Sequence, residues 1–367
     1  MITATTISAT ASQPGFRRVA AEINYGWWRK ETLWFDVPTT VAPSATDVGN
    51  AWLTALLPFA FESGQPLKIN APVDEILLQN AAALQRVWAE WFPGRPPVRL
   101  TVEPAAGERS ANGHRTGCFF TGGVDSFFSL LHFDATGGGQ KVDDLIYVWG
   151  CDIPLKNPLA FAGKTKSLNR VATQLGKTVV LTATNLRQTR LGQLDWGLWM
   201  HGPTLAAVGL LLESRFKKIL VSASHSPTNL CVWGSHPLTT PLMSSRNLEI
   251  IYYGSRFLRV EKTALIADSA VAMENLHVCW KGRNELNCGH CGKCYTTLTT
   301  LELLNRRPQA TSFPQANFSL ETLKTLKLAS AFGWKFFAEI AQAARERNRP
   351  DIAEAVAACL AANQHLK

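Results

Sequence analysis

Residues 118–132 read CFFTGGVDSFFSLLH: a short apolar run, a glycine pair, then a helix-compatible stretch. No other segment constrains the fold as much. A buried strand that turns through two glycines into a helix belongs at the carboxyl edge of a layered α/β sheet. Gly122 and Gly123 carry no side chain, so the backbone can turn sharply and bring its N–H groups close to an anion. Thr121 and Ser126 add hydroxyls, Val124 lies within the same loop, and the positive end of the following helix dipole points the same way. Residues 121–126 therefore read as a phosphate cradle. Asp125 sits poorly beside bare phosphate unless a magnesium ion lies between them or its side chain braces the loop. A plain strand-to-helix turn capped by Asp125 or Ser126 would use the same residues.

Further on, the chain reads HVCWKGRNELNCGHCGKC, with cysteines at 279, 288, 291 and 294. Two overlapping CxxC units put three thiolates within a turn or two of chain, and the earlier Cys279 completes a tetrahedron with Cys288, Cys291 and Cys294. Four protein ligands make a closed, structural zinc site. Disulfides are the competing reading, and they fit poorly with the cytoplasmic location expected from an opening segment, MITATTISATASQ, that has no basic stretch followed by an apolar core.

The remaining pattern predicts an α/β chain. Apolar strands CFFTG, DLIYVWG, TVVLTAT, KILVSAS and LEIIYYG alternate with helices between 115 and 300, which predicts a doubly wound parallel sheet with ligands bound beyond the carboxyl ends of its strands. Before it, 1–14 is Thr/Ser/Ala-rich and reads as a mobile leader. Residues 15–110 read as an α+β domain: a hairpin joined near Gly26, then helices at 46–62 and 72–92, each followed by a strand. The polar, glycine-bearing segment 107–117 marks the expected boundary, and 301–367 return to helices. The chain has 367 residues, 46% hydrophobic. Its longest uncharged apolar run, GPTLAAVGLLL, is about half of what a membrane span needs. A net charge of +9 suits anionic ligands such as ATP, but the basic residues are scattered and form no arginine-rich arm or aromatic-basic RNA motif.

The TGGVDS loop resembles the pyrophosphate (PP) loop of the N-type ATP pyrophosphatases, whose usual products are AMP and pyrophosphate. It is not a Walker loop, since GxxxxGK(S/T) is absent. Taken with cysteine intervals of nine, three and three, it resembles the 7-cyano-7-deazaguanine synthases of queuosine biosynthesis, which use ATP and ammonia to convert a deazapurine carboxylate to a nitrile. The resemblance covers roughly half the chain, about 115 to 300, and is specific at its two ends. It implies an adenine nucleotide alpha hydrolase-like, Rossmann-like fold. RVEKTALIADS (259–269) is similar to a family helix whose lysine falls at Lys262, and KKILVSASHS (217–226) fits the strand leading to the substrate loop. The chain departs from the family at three places. Val148 to Asp152 replace a tyrosine-glycine-glutamine element, Met200 to Pro203 replace an arginine-asparagine pair, and GSHPLTTPLMSS (234–245) stands where a deazapurine-holding segment is expected.

The resemblance implies an AMP-forming C–N ligase that uses ATP, magnesium and zinc, a small-molecule acyl substrate and a nitrogen donor, and leaves the acyl group open. A protein or tRNA acceptor and a homodimer are further expectations, and multidomain relatives are associated with anti-phage defence. A tRNA sulfurtransferase, with Cys151 as the sulfur carrier, and a non-catalytic nucleotide-binding module would use the same loop. Trp149 and Gly150, at the end of the second strand, either meet adenine through the backbone or form an ordinary turn. His201 either faces the acyl group and attacking amine or is a loop histidine. Ser224 and His225 end the fourth strand at the substrate crevice, without a GxSxG elbow. His236 is a pocket or a loop residue, and Lys262 either neutralises phosphate charge or is a solvated helix lysine.

Overall fold

In the computed structural model, which describes residues 1–26, 29–41, 43–105, 113–279 and 287–367, period-two alternation organises the first strands. Strand β1 (Ile2–Ile7) turns Ile2 and Ala4 inward, and β2 (Phe16–Asn24) pairs antiparallel with β3 (Lys30–Pro38). Helix α1 (Ala45–Ser63) opens on a Ser44–Asp47 capping box, β4 (Leu67–Asp74) ends in the Asp74 that caps α2 (Glu75–Trp91), and β5 (Leu100–Ala105) follows. The leader expected at 1–14 is thus partly a strand: β1 is hydrogen-bonded between β2 and β4. Its Thr-rich composition conceals an alternation that gives it a buried face. The boundary expected at 107–117 lies largely outside the described residues.

The next stretch alternates as its apolar runs require: β6 (Arg115–Phe119), α3 (Val124–Thr136), β7 (Asp144–Trp149), α4 (Pro158–Leu175), β8 (Thr178–Thr184), α5 (His201–Leu211), β9 (Phe216–Ser222) and β10 (Glu249–Tyr253). All the strands join one ten-stranded, mostly parallel sheet in the order β10-β9-β6-β7-β8-β3-β2-β1-β4-β5. Alternate residues enter different cores. Phe119, Ile146, Val148 and Ile219 pack on the side of α1 and α5, whereas Cys118, Leu145, Tyr147 and Leu220 pack on the side of α3 and α4. At the amino ends of the strands, Arg115 and Arg215 both form bidentate pairs with the fully buried Asp144.

The seam between the early strands and the rest is antiparallel, with Phe35 opposite Thr184 and Asp36 opposite Ala183. Asn185 fastens it, accepting the Trp34 N–H at 2.8 Å and donating to the Thr32 carbonyl at 2.8 Å. Trp199 stacks on Phe92 at 4.3 Å and meets Trp88 edge-on at 5.7 Å. Residues 15–110 therefore share a sheet and a core with the following segment instead of standing apart as a domain. The chain closes with α6 (Arg259–Ala267), α7 (Ala270–Asn275), α8 (Gly292–Leu303), α9 (Leu320–Lys324), α10 (Ala331–Glu346) and α11 (Pro350–Ala362), the last three packed around Phe337, Ile352 and Val356 against Tyr295 of α8. No helix among the described residues is long and apolar enough to cross a membrane.

Candidate functional site

The loop after β6 starts in the core and ends at a helix with an open amino terminus. Phe120 still donates to the Ile146 carbonyl at 2.9 Å, Thr121 is exposed, and Gly122 takes φ +76°, which a side chain would strain. Gly123 is the residue before α3, and no side chain caps that helix. Ser126 instead donates to the Gly123 carbonyl at 3.0 Å and is buried, so it braces the loop from below. Val124 is buried and offers only its backbone. The first-turn amides of α3 thus have no side-chain acceptor, which is the arrangement that receives an anion. Two neighbours hold the loop: Lys164 of α4 donates to the Thr121 carbonyl at 2.9 Å, and the His277 N–H donates to the Gly122 carbonyl at 2.7 Å.

Asp125 is paired with two cations. Arg259 meets one of its oxygens at 2.5 Å and Lys262 the other at 3.4 Å. Burial pushes the Asp125 carboxyl up, but Arg259 and Lys262 outweigh burial and hold it below the ordinary carboxylate range. Lys262 is 2% exposed and also donates to the Ala223 carbonyl at 2.5 Å; burial lowers its pKa against the pull of Asp125. This lysine is not a solvated helix residue. Glu339 of α10 accepts the Arg259 N–H at 3.0 Å, and also Ser226 Oγ and Asn229 Nδ2 at 3.1 and 3.0 Å, so the carboxy-terminal helices close over this end of the crevice. Burial lowers the pKa of Lys293, in the first turn of α8, and Arg259 adds to this against the pull of Asp152 and Asp125. Lys164, Arg259 and Lys262 thus bring three positive charges into contact with the loop.

The other expected residues divide. Trp149 stacks on Phe161 at 4.3 Å and 4°, and Gly150 takes φ +100° with its hydrogen aimed at the Thr184 carbonyl, where a Cβ would come to 2.0 Å. His201 hydrogen-bonds Ser235 Oγ at 2.9 Å; burial lowers its pKa while Asp152 draws it up. His225 is buried in an aromatic box, 5.2 Å from Trp233 and 4.8 Å from Phe332, and burial drives its pKa down to about 4. Neither the Ser222 hydroxyl nor either His225 ring nitrogen has a hydrogen-bond partner, so the strand end holds no Ser–His catalytic pair. Ser224 lies beside it on the same strand end. His236 goes elsewhere: its ring meets Trp91 of α2 edge-on at 4.8 Å and Nδ1 accepts the Leu238 N–H at 3.1 Å, a loop-anchoring role. Burial pushes the Cys151 thiol up, the opposite of what a reactive sulfur carrier needs.

Cys279, Cys288, Cys291 and Cys294 place their sulfurs within 4.8 Å of one another, at 3.7 Å (279 to 291), 3.8 Å (288 to 294) and 3.6 Å (291 to 294). A tetrahedral metal with bonds of about 2.3 Å spans sulfurs about 3.8 Å apart, so the cluster can hold an ion such as zinc. The centre adjoins the loop: His277 stands two residues before Cys279, and Asn287 ties Val278 N–H and the Leu276 carbonyl at 2.9 and 2.8 Å. Sequence reasoning overlooked Lys164, Arg259, His277, Lys293 and Glu339. Arg259 was within reach, one helical turn before Lys262 on the same face, but the others come from elements whose proximity no local pattern reveals. Comparison with protein-family models, with curated proteins and with solved structures returned no match.

Proposed function

We propose that this chain is an ATP-dependent, AMP-forming ligase of the N-type ATP pyrophosphatase kind, similar to the 7-cyano-7-deazaguanine synthases in activation chemistry and different in its acyl pocket. The observation that carries the reading is the uncapped loop at 121–126, at the carboxyl end of β6 and contacted by Lys164, Arg259 and Lys262. The strand order supports it. From β6 the chain steps through β7 to β8 on one side and returns to β9 and β10 on the other, an order that fits a doubly wound, Rossmann-like reading with its crevice at the reversal.

In this reading the amides at the start of α3 bind the β- and γ-phosphates. A substrate carboxylate oxygen attacks the α-phosphorus; the new O–P bond forms as the bond to pyrophosphate breaks. A nitrogen nucleophile then attacks the acyl carbon and AMP leaves, with the amine proton passing to His201, whose ring hydrogen-bonds Ser235 Oγ at 2.9 Å. Lys262 and Arg259 neutralise charge that develops on the transferred phosphoryl group, and Asp125 fixes both cations in place. Arg259 and Lys262 already supply the countercharge to Asp125, so its carboxylate is assigned to bracing those two cations and not to holding magnesium. The four cysteines are assigned to structural zinc, which would hold the 276–279 segment against the loop.

Purified protein incubated with ATP, magnesium, ammonium and 7-carboxy-7-deazaguanine should yield AMP together with an amide or nitrile, resolved by chromatography. Asp125→Asn should yield neither. Absence of AMP with this acid and with a panel of other carboxylates, in protein shown to bind ATP, would overturn the ligase reading.

A further inference from the structure

We infer that the β2–β3 hairpin completes the pocket for the adenine ring of ATP, with Asp36 reading the exocyclic amine. The inference rests on the nucleotide reading of the 121–126 loop and adds a base-recognition role for the amino-terminal strands. A cavity of about 160 Å³ lies between this hairpin and the carboxyl ends of β7 and β8, walled by Phe16, Trp34, Trp149 and Phe161, with Asp36 and Thr182 on its strand walls and Ser12 and Gln13 at its edge as polar groups. A dry cavity of about 150 Å³ accepts one benzene ring, so the space suits one flat heterocycle that reaches its open side.

The alternation of β3 produces this wall. Leu33, Phe35 and Val37 enter the core, which sends Trp34 and Asp36 to the opposite face. Trp34 is held there across the seam, its N–H by Asn185 and its carbonyl by Thr184 Oγ1, both at 2.8 Å. Arg18 covers the Trp34 ring at 3.8 Å and gives each Asp36 oxygen one hydrogen bond of 2.8 Å. A carboxylate oxygen has more than one acceptor site, so Asp36 keeps capacity for another donor and none for an acceptor. An adenine amino group satisfies it, whereas the ring carbonyl of hypoxanthine faces a carboxylate.

Helix α4 connects this pocket to the phosphate loop. Phe161 and Lys164 are three residues apart on one helical face, about 4.5 Å along the axis. Phe161 stacks on Trp149 at the cavity, and Lys164 reaches the Thr121 carbonyl at 2.9 Å. A single nucleotide therefore spans both, base at the Phe161 level and phosphates at the Lys164 level.

Equilibrium binding of ATP, inosine triphosphate and inorganic tripolyphosphate to the full chain tests this. Wild type should prefer ATP over inosine triphosphate by about tenfold, the effect of one buried hydrogen bond gained or an acceptor left unpaired. Trp34→Ala should weaken ATP by about tenfold or more through lost stacking, with tripolyphosphate unchanged. Asp36→Asn should abolish the preference between the two nucleotides; because it leaves Arg18 without its partner, retained tripolyphosphate binding reports that the fold survives. ATP binding that is equal in wild type and Trp34→Ala overturns the pocket, as does wild-type binding of tripolyphosphate with no gain from the adenosine. Wild type that binds neither ATP nor tripolyphosphate overturns the loop reading itself, and the pocket with it.

Discussion

Replacing Lys262 by methionine removes a buried charge while keeping its length. At 3.4 Å from Asp125, the pair attracts by about 5 kcal/mol at an effective dielectric constant near 20. The charge-assisted bond to the Ala223 carbonyl adds about 2 kcal/mol. Against these stands the desolvation of an ammonium that is 2% exposed, several kcal/mol. Asp125 keeps Arg259 as a partner, so the carboxylate is not stranded. The terms nearly cancel, and Lys262→Met should change folding stability by no more than about 2 kcal/mol. Its effect on chemistry should be much larger. A preorganised cation beside the transferred phosphoryl group acts only where charge develops, and losing one such group lowers turnover by roughly a hundredfold. Thermal unfolding and the rate of AMP release, measured on the same preparation, separate the two. Turnover reduced less than about threefold would show that Lys262 serves the fold alone. A large fall in Tm would refute the offset between desolvation and pairing.

Other perturbations have distinct signatures. Elemental analysis should find one zinc per chain, absent in Cys288→Ser, and chelation should lower Tm and weaken tripolyphosphate binding because the centre anchors the segment that holds Gly122. Gly150→Ala should destabilise by about 3 kcal/mol or more, from backbone strain and a clash with the Thr184 carbonyl, seen as a lower denaturation midpoint. Asp144→Ala strands Arg115 and Arg215 and should cost about 3 kcal/mol without altering nucleotide binding, since the cluster lies at the other end of the strands. For His225 the folded-state pKa is about 4 against an ordinary 6.5, so the folded chain binds fewer protons in that window; stability should fall as pH drops from 6.5 towards 4, and His225→Phe should flatten that slope. An unchanged slope would show that other groups carry the acid sensitivity.

Much of the fold was legible because its signals are local. The five central strands are apolar runs separated by helical stretches, and alternation between them marks a parallel α/β sheet whatever its neighbours do. The amino-terminal strands were read one by one but not as part of the same sheet. Their attachment is a short antiparallel pairing of β3 with β8, fixed by Asn185 more than a hundred residues away, and nothing in either strand announces the other. Strand β1 shows a different failure. Half of its residues are Thr, whereas its buried face is Ile2 and Ala4, two residues whose spacing matters only once a partner sheet exists.

The candidate site shows the same division between chemistry and address. The strand-to-helix turn at 119–126 and the clustering of the four cysteines follow from local geometry, so both could be read from spacing. Asp125 could not be assigned that way, because two roles fit an acid in such a turn and they differ only in what stands opposite. Arg259 and Lys262 stand opposite, and the carboxylate between them becomes the brace of a cationic pair. Glu339 repeats the logic one layer out, holding the Arg259 backbone from a helix some eighty residues later. The charge order around the loop therefore depends on the carboxy-terminal helices being docked. This links a segment with no chemistry-bearing motif of its own to the position of the cations on which the proposed activation relies.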